Sequence, residues 1–120
     1  STFGGSALPA AAALAALDAI EGEGLVENAA RVGERLAQGL EAVRAKCPLA
    51  KEVRARGLMI AVDLAQPKAA RVKEECAARG LLVNTVGDGM LRLLPPMVLT
   101  QAEADQGLAR LEQALIAAAG

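Results

Sequence analysis

The spacing of apolar residues changes along the chain, and glycine or proline stands at most of the changes. From Ala7 to about Ile20 the chain is alanine-rich and apolar on every side, with Ser6 placed as a cap and Pro9 in the first turn, where a missing N–H is tolerated. This predicts a helix that must be enclosed by protein, partly by pieces outside this chain. Beyond Gly22 and Gly24, Leu25, Ala29, Val32, Leu36, Leu40 and Val43 recur at helical spacing opposite Glu27, Arg31, Glu34, Arg35, Glu41 and Arg44. The second helix is therefore amphipathic and ends near Pro48.

From Val53 the period becomes two. After Gly57, Leu58, Ile60, Val62 and Leu64 share one face and Met59, Ala61 and Asp63 the other, which predicts one strand. Pro67 opens a third helix with Ala69, Val72, Cys76 and Ala77 inward, and Gly80 closes it. Leu81–Val86 and Met90–Leu94 read as short strands joined through Gly87-Asp88-Gly89, ending at Pro95-Pro96, which cannot donate to a ladder. Thr100-Gln101-Ala102-Glu103 matches a capping box ahead of a last helix with Leu108, Leu111 and Leu115 inward. The expected fold class is α+β: a three-stranded, mainly antiparallel sheet covered by helices and preceded by an alanine-rich helix.

Composition narrows the function classes. A chain of 120 residues, 53% hydrophobic, can bury one core without metal or disulfide staples. Its net charge of −1 comes from interspersed acids and bases, so neither a nucleic-acid nor a membrane surface is expected. With no histidine and without metal-ligand spacing, Cys47 and Cys76 read as reduced structural thiols of a cytoplasmic protein, and no metal site is expected. The apolar run Leu8–Leu17 is far shorter than the roughly 20 residues a bilayer needs. An opening of Ser1-Thr2-Phe3-Gly4-Gly5 without a basic region or an initiator methionine reads as mid-protein sequence.

Two places could carry chemistry. Hydroxyls and glycines just before a helix, at Ser1-Thr2-Phe3-Gly4-Gly5, suit a phosphate; the same residues also make an ordinary glycine turn. Arg92, inside the apolar strand Met90-Leu91-Arg92-Leu93-Leu94, either meets a specific acidic partner or points outward from the open face of the sheet.

Taken in order, Ser1–Gly5, the alanine-rich helix, Gly24–Ala29, Val53–Met59, Arg79–Asn84 and Leu91–Pro96 resemble the final third of class III pyridoxal-phosphate (PLP) aminotransferases. The stretch after the arginine, Leu93-Leu94-Pro95-Pro96, and the opening are similar to those of the acetylornithine enzymes, with ornithine, succinylornithine and 4-aminobutyrate aminotransferases as near relatives. The resemblance implies the C-terminal small domain of a dimeric fold-type I enzyme. In it Thr2, with Ser1 beside it, would contact the cofactor phosphate across the homodimer, and Arg92 would hold the carboxylate of the amino-acid substrate and of 2-oxoglutarate. Residues 1–23 would form the phosphate loop and connecting helix. The family usually has Asn-Pro-Leu-Ala where this chain has Ser6-Ala7-Leu8-Pro9, so the role of that asparagine is not carried over.

No catalytic residue is assigned. The family's cofactor-bearing lysine lies upstream of the opening element, and Lys46, Lys51, Lys68 and Lys73 read as solvated, so these residues alone are expected to be inactive. Two alternatives remain at this point: a free-standing folding or dimerisation module, and a class III enzyme acting on another ω-amino donor.

Overall fold

A computed structural model describes residues 2–120. Four helices and four strands follow one another as α1 (Ala7–Gly22), α2 (Leu25–Lys46), β1 (Ala50–Arg56), β2 (Met59–Leu64), α3 (Ala69–Ala78), β3 (Asn84–Val86), β4 (Met90–Leu93) and α4 (Gln101–Ala119). The strands form one antiparallel sheet in the order β1-β2-β4-β3.

The α+β reading holds, but the sheet has four strands where three were expected. Ala50–Arg56 is a strand of its own, and Gly57 is the turn of a β1–β2 hairpin rather than the lead-in to a single strand. Gly57 takes φ +55°, a left-handed conformation open to glycine at little cost. The predicted strand Leu81–Val86 is shorter: Leu81–Val83 run without ladder pairing and only Asn84–Val86 join β4.

One sheet face carries the core. Val53, Val62 and Leu91 lie in register across β1, β2 and β4, as do Ile60 and Leu93, and α2, α3 and α4 cover them with Leu40, Val72, Leu111 and Leu115. Neighbouring elements come close to α2 at two of its glycines. A methyl on Gly33 would overlap the main chain of Gly57, and one on Gly39 would strike the side-chain end of Leu108 on α4. Arg35 ties the outer sides of α2 and α4 together by two hydrogen bonds to Asp105, 2.6 and 2.7 Å.

The helix ends follow sequence chemistry unevenly. Thr100 and Glu103 form the expected capping box. Gly80, at φ +71°, ends α3 with Gly80 N–H donating to Ala77 and Leu81 N–H to Cys76, the paired bonds of a Schellman turn. Pro67 lies ahead of α3, whose first residue is Ala69. Ser6 does not cap α1: its hydroxyl donates backward to the Phe3 carbonyl at 3.0 Å.

Helix α1 rests on α2 and has no buried residue. Leu8, Leu14 and Leu17 are exposed, so the enclosure its composition demands is not supplied by the residues described. The molecule is correspondingly long, 54 × 31 × 23 Å.

Candidate functional site

Arg92 sits in the middle of β4, opposite Ala61 of β2 on one side and Asn84 of β3 on the other. Residues directly opposite in a sheet share a face, and the core occupies the face of Leu91 and Leu93, so Arg92 projects from the open one. This is the outward-pointing geometry the pattern allowed. It also leaves the guanidinium without a carboxylate partner among the described residues.

A second arginine stands on the same face. Arg54 of β1 is opposite Ala61 from the other side, and it is engaged: its Nε and Nη2 donate to the two oxygens of Asp63 at 3.1, 3.0 and 2.8 Å. Sequence reading did not single out Arg54, Asp63 or Asn84, because nothing in the local pattern shows which strands become neighbours. The alternation that put Asp63 on the face opposite Ile60 and Val62 was the only available signal.

Beside Arg92 a cavity of about 640 Å³ opens between the β3–β4 edge and α4, with Asn84, Leu82, Leu94, Pro96 and Leu108 among its lining. Its walls are mostly apolar, with Arg92, Asn84 and Glu103 supplying charge and polarity. The segment that leaves β4 is pinned from behind: the Asn28 amide on α2 donates to the carbonyls of Met97 (2.7 Å) and Leu99 (3.0 Å) and accepts from Arg31 (2.8 Å).

The other candidate element is elsewhere. Thr2 is exposed in a turn leading to α1, and Ser1 lies outside the described residues. The cavity near Arg92 has no lining residue before Leu36, so Thr2 and Arg92 do not share it. The start of α1 carries neither a side-chain cap nor an acid in its first turn, which leaves the positive end of the helix dipole open to an anion.

The remaining reactive groups have structural surroundings. Lys46 pairs with Glu112, Lys68 donates to the carbonyls of Ala118 and Ala119 at the end of α4, and Lys51 and Lys73 are exposed. Cys47 and Cys76 are buried and unpaired, and desolvation, ahead of the opposing pull of Arg79, pushes the Cys76 thiol up to about 11. Such a thiol stays protonated and unreactive at neutral pH. Among the described residues no cluster could hold a metal ion, and no helix is long and apolar enough to cross a membrane.

The family model for aminotransferase class III matches residues 1–115. This chain belongs to the class III aminotransferase family. It is 46% identical over 112 residues to the acetylornithine aminotransferase of Bifidobacterium longum, covering 93% of this chain and 26% of that protein. The ornithine aminotransferase of Staphylococcus carnosus is 41% identical, covering 94% of this chain and 28% of the relative. In structure, the acetylornithine aminotransferase of Elizabethkingia anophelis superposes with a TM-score of 0.93 at 30% identity, over 98% of this chain and 32% of that one. An amine transaminase from an uncultivated Pseudomonas species, solved in its PLP-bound form, gives 0.82 at 37% identity, over 89% and 27%. Members of the family are PLP-dependent, and this chain spans about a quarter of the length of the curated relatives it matches.

Proposed function

We propose that residues 1–120 are the C-terminal small-domain part of a PLP-dependent transaminase that passes the amino group of N-acetylornithine to 2-oxoglutarate in arginine biosynthesis. Residues 1–23 serve in this reading as the phosphate loop and connecting helix. The observation that carries the proposal is the contrast on the open sheet face: Arg54 is neutralised by Asp63, whereas Arg92, in the position the family resemblance marks, keeps its charge available.

A planar guanidinium grips a carboxylate through two parallel bonds, and both substrates present one, so Arg92 fixes the orientation of donor and acceptor in turn. At the other end of the chain, the Thr2 hydroxyl and the open N–H groups at the start of α1 fit a phosphate, which they hold for the neighbouring subunit of a homodimer. Bound PLP supplies the electron sink for the transfer of the amino group. The enzyme works in the cytoplasm in this reading.

Another ω-amino donor is the second reading, supported by the 41% identity to an ornithine aminotransferase. Substrate profiling of the complete enzyme separates the two, since the assigned donor should give the highest kcat/KM.

Arg92→Ala in the complete enzyme tests the carboxylate role. Removing a charge-assisted bidentate partner costs about 2–4 kcal/mol, so kcat/KM should fall about 30-fold or more for both substrates while PLP affinity stays near wild type. Arg92→Lys should recover only part, because an ammonium lacks the planar fork. A kcat/KM within about threefold of wild type for both substrates would show that Arg92 does not bind them.

A further inference from the structure

The register of the open sheet face places one acid between two bases. Asp63 on β2 is diagonal to Arg54 of β1 and, on its other side, diagonal to Arg92 of β4, with only Ala61 separating the two arginines. Diagonal neighbours on one face lie within reach of long side chains, so Asp63 can serve either guanidinium. It faces β1 here, held by three hydrogen bonds from Arg54. Glu52, directly opposite Asp63, adds a second negative charge at that end of the face and increases the need for a local cation. No such bond restrains Arg92 among the described residues.

We infer that Arg54 is a positioning residue for substrate binding: by occupying Asp63 it keeps that carboxylate from closing on Arg92, and so leaves Arg92 free for the substrate carboxylate. The inference rests on the carboxylate role proposed for Arg92. Its physical content is competition within the protein. An unheld Asp63 is an intramolecular anion at high effective concentration beside Arg92, and the apparent affinity for substrate falls by the fraction of molecules in which the two are paired. Ala61 reinforces the arrangement, since its small side chain puts nothing in the path between acid and either base.

The experiment is steady-state kinetics of the complete enzyme carrying Arg54→Ala, Arg54→Ala with Asp63→Asn, and Arg92→Ala. For an exposed ion pair forming in place of the native one, Arg54→Ala should raise KM for both carboxylate substrates about fivefold with little change in kcat. Adding Asp63→Asn should return KM to within about twofold of wild type, because the amide cannot neutralise Arg92. Removing both members of a structural ion pair also relieves the orphaned charge, so the two roles are told apart by KM against kcat: a merely structural role for Arg54 would lower the melting temperature and kcat of Arg54→Ala, whereas competition for Arg92 raises KM alone. Unchanged KM in Arg54→Ala, or a double variant as poor as the single, would overturn the inference while a large loss in Arg92→Ala left the carboxylate role standing. If Arg92→Ala itself cost nothing, both would fall together.

Discussion

Gly33 shows how far a single missing side chain can matter. It lies inside α2, where glycine costs about 1 kcal/mol relative to alanine, yet its bare face is what lets the helix meet the β1–β2 turn backbone to backbone. Gly33→Ala should therefore destabilise the protein by about 1–3 kcal/mol, because the methyl meets the main chain of Gly57, which cannot rotate away. Gly39→Ala meets only the end of the Leu108 side chain and should cost less. Urea unfolding of the two variants checks the order, and equal losses would show that helix approach at Gly33 is not special. Neither contact was legible in the sequence, since both depend on what arrives from elsewhere in the chain. Arg92 was legible as a charge set among Met90, Leu91 and Leu93; what became visible only with the sheet assembled was its company of Arg54, Asp63 and Asn84.

Among the elements, those with strong local chemistry were read correctly. The capping box of α4, the glycine end of α3 and the charged stripe of α2 need only nearby residues, and each stands where the pattern put it. Strand β1 did not announce itself because it is an edge strand: Lys51, Glu52, Arg54 and Arg56 face solvent, and its inward residues are small or single. Edge strands are commonly charged in this way, which blurs alternation while protecting the edge. The ion pairs between and within helices give the fold an acid limb. The Arg35 hydrogen bonds hold the Asp105 carboxyl below its usual range, the Arg79 bond does the same for Glu75, and the Thr100 cap for Glu103. A carboxylate with a lowered folded value adds stability above the ordinary carboxylate range and loses it as pH falls through that range. The melting temperature should accordingly drop as pH is lowered below about 5, and Asp105→Asn should flatten that drop. An unchanged slope in the variant would mean that the α2–α4 pair contributes nothing to it.

At the scale of the whole molecule, the radius of gyration is 16.9 Å, where about 14 Å is usual for a compact chain of this length. The excess belongs to α1, an apolar rod standing on α2 with Leu8, Leu14 and Leu17 in solvent. A surface of that kind seeks cover. The 120-residue chain should sediment as a dimer or larger species, and Leu14→Glu with Leu17→Glu should shift it toward monomer; a wild-type monomer at micromolar concentration with α1 protected from proteolysis would show instead that the helix finds cover within its own chain. The helix propensity of α1 comes from alanine, but the burial that would hold it in place has to come from another surface. Where a second molecule provides that surface, mass action governs the helix: diluting the protein loosens α1 and concentrating it tightens α1, with no change in sequence or solvent.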